Sequence, residues 1–114
     1  APFHSSLLKP AADRLRERLA EVALRTPEVP VIHNVDVLQH AAPDAIREAL
    51  AAQAASPVRW VETVQAIAAV GVTHVVEIGP GKVLQGLVKR IAPELTALAV
   101  GDDESLRTTL EALA

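Results

Sequence analysis

The sequence predicts an α/β fold in three layers, a mostly parallel sheet flanked by helices. Three observations predict it. Short β-branched or apolar runs stand at residues 29–35, 73–78 and 95–100. Segments with apolar residues at three- and four-residue spacing separate them. No hairpin-turn dipeptide joins one strand to the next, so the strands must be connected through helices, which makes them parallel.

Taken in order, residues 5–25 carry Leu8, Ala11, Leu15, Leu19 and Val22 on one stripe, predicting an amphipathic helix with Ser5 or Ser6 as N-cap. Residues 29–35 are bounded by Pro27 and Pro30 and read as a buried strand. Ala42-Pro43-Asp44 opens a helix to about residue 54, with proline and an acid in its first turn. Ser56-Pro57 offers an N-cap and an N1 proline for another, ending at Gly71. Residues 73–78 read as a nearly all-apolar strand, which Gly79-Pro80-Gly81 turns into a helix over 82–91. Residues 95–100 give a third strand, and Asp102-Asp103 starts a last helix carrying Leu106, Leu110 and Leu113. Three strands make a thin sheet, so further strands are expected from chain upstream.

Composition narrows the function. A chain of 114 residues that is 50% hydrophobic suits one modest domain. It has no cysteine, which removes disulfides and thiolate metal sites and suits a reducing cytoplasm. Phe3 and Trp60 are its only aromatic residues and its net charge is −3, both unsuited to nucleic acid. No apolar run approaches the about 18 residues of a membrane span, so no membrane partner is expected. The opening Ala1-Pro2-Phe3-His4 has neither an initiator methionine nor a signal-peptide pattern, and reads as an internal cut in a longer chain.

Four histidines titrate near neutrality without help: His4, His33, His40 and His74. None stands at metal-ligand spacing from another, and no metal site is expected. His40 in a loop and His74 in a strand read as structural or solvated. His4 stands just before a helix N-terminus, whose partial positive field favours the neutral imidazole that a general base needs. Taken alone, that position is more often held by an ordinary surface histidine. Gly79-Pro80-Gly81-Lys82 is open to two readings, an anion-holding loop or a tight turn that needs glycine. No Gly-x-Ser-x-Gly elbow occurs, so Ser5, Ser6, Ser56 and Ser105 read as caps or surface hydroxyls. Trp60 reads as a core anchor.

Several ordered motifs carry a resemblance: Pro2-Phe3-His4-Ser5, then residues 31–36 (VIHNVD), Gln53, Ser56-Pro57-Val58-Arg59-Trp60, and residues 77–84 (EIGPGKVL) followed by Gly86-Leu87 and Lys89-Arg90-Ile91. Through them the whole chain resembles the end of the malonyl-CoA:acyl-carrier-protein transacylases. The resemblance implies transfer of malonyl from malonyl-CoA, through a serine ester, to the phosphopantetheine thiol of acyl carrier protein, with no cofactor. It implies that His4 is the catalytic histidine that activates the serine. It implies that Gln53 orients that imidazole through its main-chain carbonyl, and that Val83 lines the malonyl pocket. The implied fold is the carboxy-terminal part of an α/β-hydrolase-like large subdomain spanning 1–114. The serine elbow, the oxyanion-hole glutamine, the carboxylate-binding arginine and a small ferredoxin-like subdomain are then expected upstream. The isolated chain is accordingly expected to be inactive, with the serine-bearing upstream portion as its partner. Two alternatives stay open: an acyltransferase of polyketide synthesis, and a non-catalytic fragment serving as a carrier-protein docking module.

Overall fold

The computed structural model describes residues 2–114; Ala1, the first residue of the opening segment, lies outside the described residues. The chain divides into two compact units, residues 1–63 and 64–114.

In the first unit, Ser6–Leu8 forms a 3₁₀ turn and α1 runs from Lys9–Ala20. The predicted helix was longer at both ends, and each difference has a cause. Pro10 stands in the first turn of α1, where its missing N–H costs nothing, so the α-helix begins just ahead of it. Ser5 precedes the 3₁₀ turn but does not cap it with its side chain; its hydroxyl donates to the Pro2 carbonyl at 2.7 Å. At the other end Arg47 donates to the Leu19 carbonyl (3.0 Å), in the last turn of α1, and to the Val22 carbonyl (2.8 Å), just past the helix. Of the predicted stripe, Ala11 and Leu15 are exposed, and Ala12 is the buried residue.

The run at 29–35 is mostly irregular. Only β1 (Ile32–His33) is strand, and it pairs antiparallel with β2 (Leu38–Gln39), so a small hairpin stands where a buried parallel strand was expected. The sequence hides this hairpin because its turn uses no glycine. Val37 takes the left-handed conformation (φ 61°), rare for a β-branched residue, and its N–H donates to the His33 carbonyl at 2.8 Å. Asp36 Oδ1 accepts from the Leu38 N–H at 3.0 Å and completes the turn. Next, α2 (Pro43–Gln53) begins on Pro43, buries Ile46, Ala49 and Ala51, and packs against α1. Arg16 of α1 holds both carboxylate oxygens of Glu48 at 2.9 Å, and this pairing holds the Glu48 carboxyl below its ordinary range. α3 (Trp60–Ala69) starts later than Ser56-Pro57 predicts. Residues 57–59 stay outside the helix, and the Arg59 N–H donates to the Asn34 carbonyl at 3.0 Å.

The second unit matches its prediction closely. β3 (His74–Ile78) and β4 (Thr96–Val100) pair in parallel, Val76 opposite Leu98, with α4 (Val83–Ile91) as the crossover. α4 packs on both strands and α5 (Asp103–Leu113) on β4. Val88, Ala92, Leu95 and Ala97 are buried here. Asp102 caps α5: its carboxylate accepts the Ser105 N–H at 2.8 Å, while the Ser105 hydroxyl reaches back to the Asp102 N–H at 3.0 Å. No helix among the described residues is long and apolar enough to cross a membrane.

Candidate active site

His4 lies in an exposed turn ahead of the 3₁₀ segment, with left-handed backbone (φ 56°). Histidine visits this region more readily than most residues, yet it costs energy and recurs where a side chain must be aimed. The Ser5 hydroxyl bond to Pro2 closes this turn.

The imidazole is aimed at the end of α2. His4 Nδ1 lies 2.9 Å from the main-chain oxygen of Gln53, a residue 49 positions away in the chain. Gln53 is the last residue of α2, and the carbonyls of a helix's last turn have no partner within the helix. The next amides turn back, Ala54 to the Ala51 carbonyl and Ala55 to the Ala52 carbonyl, and leave the Gln53 oxygen for the imidazole. A carbonyl can only accept, so Nδ1 carries the hydrogen and Nε2 presents its lone pair.

A second group of side chains, which the sequence reading did not find, leads away from Gln53. Its side-chain Nε2 lies 3.3 Å from Nδ1 of His33, a buried residue of β1 only 4% exposed. The His33 ring stands 5.2 Å from that of His40, tilted by 49°. His40 Nε2 lies 2.7 Å from Asp36 Oδ2, so this histidine is structural, as one of its two readings had it. Burial alone would push the Asp36 carboxyl up, but the His40 bond, the Leu38 N–H and the nearby histidines together hold it below its ordinary range. The signal was present as Asp36 and His40 four residues apart, but their meeting depends on a turn that no glycine marks.

Val83 belongs to the other unit, where it is the first residue of α4 and 72% exposed. It follows the carboxyl end of β3, whose last residue, Ile78, is 84% exposed. Of the two readings of residues 79–82, the tight turn fits. Gly79 and Gly81 have φ 143° and 92°, and one amide of the α4 N-terminus is already taken, since Glu77 Oε2 accepts the Gln85 N–H at 2.8 Å. That carboxylate supplies internally the negative charge that a bound anion would bring. Among the described residues no group of three or more metal-ligating side chains gathers.

No family model matches the chain. Individual proteins do. It is 48% identical over 110 residues to the malonyl CoA-acyl carrier protein transacylase of Escherichia coli K12, and 46% identical over 114 residues to that of Bacillus subtilis 168. These alignments take in 96% and 98% of this chain, but it spans only 36% and 35% of those relatives. Among solved structures, the acyl-carrier-protein S-malonyltransferase of Burkholderia pseudomallei 1710b superposes with a TM-score of 0.94 at 58% identity, over 97% of this chain and 36% of that one. A malonyl-transacylase in complex with a type II PKS acyl-carrier protein superposes with a TM-score of 0.95 at 49% identity, over 98% of this chain and 36% of that one. Over nearly its whole length, the chain is homologous to the carboxy-terminal third of the malonyl CoA-acyl carrier protein transacylases and has their α/β fold.

Proposed function

We propose that this chain supplies the general base of a malonyl transfer, together with the group that orients the base and one wall of the acyl pocket. The chain is then the carboxy-terminal segment of the large subdomain of a cytoplasmic enzyme whose serine stands upstream. The observation that carries the reading is the 2.9 Å contact between His4 Nδ1 and the Gln53 carbonyl, which leaves Nε2 free to work. In the first half-reaction the serine Oγ attacks the thioester carbonyl of malonyl-CoA while His4 Nε2 takes the hydroxyl proton. The carbon–sulfur bond breaks, and Nε2 returns that proton to the coenzyme A thiolate. In the second half, Nε2 takes the proton of the phosphopantetheine thiol, the thiolate attacks the serine ester, and the proton goes back to Oγ. Malonyl has moved to acyl carrier protein and the enzyme is regenerated.

A neutral orienting group suits this substrate. The triad carboxylate of many serine enzymes fixes the tautomer and stabilises the imidazolium. Malonyl brings its own carboxylate, which a second anion nearby would repel. A helix-end carbonyl fixes the tautomer without adding a full negative charge. The exposed Val83, just beyond the carboxyl end of β3, stands where α/β sheets present residues to ligands.

The test mixes the purified chain with the serine-bearing portion and follows malonyl from coenzyme A to carrier protein by mass. Neither part alone should transfer; together they should. Malonylation of the isolated chain at a serine, followed by transfer to carrier protein, would overturn the reading. A second reading, an acyltransferase of polyketide synthesis, is favoured by the likeness to the transacylase solved with a type II PKS carrier protein. Comparing carrier proteins from the two kinds of pathway as acceptors separates them.

A further inference from the structure

We propose that His33 is a positioning residue for His4, acting through the side chain of Gln53. The proposal rests on the reading of His4 as the general base.

Gln53 is bonded at both ends. Its main-chain oxygen faces His4 Nδ1 at 2.9 Å, and its side-chain amide nitrogen faces His33 Nδ1 at 3.3 Å. An amide N–H only donates, so His33 Nδ1 accepts and the ring hydrogen sits on Nε2. His33 Nε2 is buried without a hydrogen-bond partner among the described residues. Leaving a buried polar atom unsatisfied is costly, and such a group calls for an explanation. Here the ring's orientation serves Gln53 at the expense of its own second nitrogen.

The arrangement has a mechanical reason. Gln53 ends α2, and helix ends fray. A carbonyl at a fraying end points along many directions, while the hydrogen bond to His4 Nδ1 requires one. Tying the side chain of that residue to a ring buried in β1 anchors the last turn from outside the helix. The ring is itself fixed, packed 5.2 Å from His40, which Asp36 holds through a 2.7 Å bond. The sequence Asp36, His40, His33, Gln53, His4 is therefore a chain of contacts that ends at the base. Only its last member would touch the reacting atoms.

The experiment reads the tautomer of His4 by ¹⁵N NMR in the 114-residue chain, with no transfer reaction needed. In the parent chain His4 should be mainly the Nδ1–H tautomer. In His33→Leu the ratio of Nδ1–H to Nε2–H should fall about fivefold, the worth of one ordinary hydrogen bond. His33→Asn, whose side-chain oxygen can accept from the amide, should restore much of it. Because His33 is buried and the leucine variant could lose its fold, Gln53→Met provides a second arm: it removes the amide at a less buried position and should shift the ratio similarly. Unchanged His4 tautomers in folded His33→Leu and Gln53→Met overturn the proposal. A parent chain with His4 mainly as Nε2–H overturns the site geometry and this proposal with it. A tautomer shift in the variants, alongside no malonyl transfer by the reconstituted enzyme, upholds the positioning role and sinks the transferase reading instead.

Discussion

Residues 64–114 are held largely by backbone. β3 and β4 pair over five residues each, the Gly79 N–H extends the pairing to the Val100 carbonyl, and each helix start is met by a carboxylate from nearby, Glu77 for α4 and Asp102 for α5. Residues 1–63 rely on side chains reaching across long stretches of chain: Arg16 to Glu48, Arg47 to the end of α1, Gln53 to His33, His4 to the end of α2. The first arrangement tolerates most single substitutions, because a ladder does not depend on any one side chain. The second can be undone at one residue. The proposed base sits in the second, on a turn with strained backbone, where one bond decides where the imidazole points.

The sharpest way to break this contrast is at the end of α2. Ala54→Pro forces Gln53 out of helical backbone and swings its carbonyl away from His4. In the reconstituted enzyme it should cut the transfer rate nearly as far as His4→Ala, for which a loss of about 10²–10⁴-fold is expected. Gln53→Ala keeps the carbonyl and should lose only about fivefold, through the missing side-chain tether. Gln53→Ala proving as inactive as His4→Ala while folded would refute the backbone-acceptor reading.

Smaller effects compare the two units in stability, measured by chemical denaturation. Gly81→Ala places a side chain at φ 92° and should cost ~1–2 kcal/mol. Val37→Asn, in the first unit, should move the midpoint the other way, since asparagine tolerates the left-handed conformation that valine resists.

Acid should find the same division. Hydrogen bonds from the Ser105 side chain and backbone hold the Asp102 carboxyl below its ordinary value near 3.8. A carboxyl depressed in the folded state adds stability above its unfolded value and loses it as pH falls through the folded one. Asp102→Ala should therefore lower the melting temperature at neutral pH, with the difference from the parent chain shrinking below about pH 4. A difference that does not change with pH would mean that the cap does not act through charge.

The least effect concerns Lys89 and Arg90, exposed in the last turn of α4, whereas Arg59 is already paired with Glu62. Exchanging both for Glu should raise the KM for an acidic carrier protein in a salt-dependent way and leave kcat nearly unchanged. No change in KM would mark them as ordinary solvated charges.

The same division governed what could be read from the sequence. Local period and turn chemistry gave β3, α4, β4 and α5 to within one or two residues, because proline, glycine and aspartate mark those boundaries directly. The β1–β2 hairpin was missed because Val37 turns the chain where glycine or asparagine would have announced a turn. The Gln53–His33 contact was missed because pairs 20 residues apart leave no period in a sequence. The roles of Gln53 and Val83 came from likeness to a family alone, and no physical signal in the sequence pointed to either.

The oxygen that faces His4 belongs to the peptide link, which every amino acid carries alike. No exchange of side chain at position 53 can delete it. A site built this way is buffered against mutational drift at its own orienting group: codon changes there trim its precision but do not abolish it, short of a proline next door. Its vulnerability is displaced onto whatever keeps the last turn of α2 in place. Descendants of this sequence could therefore change the letter at 53 at a modest cost in precision while remaining intolerant of insertions or deletions in the stretch between Gln53 and Pro57.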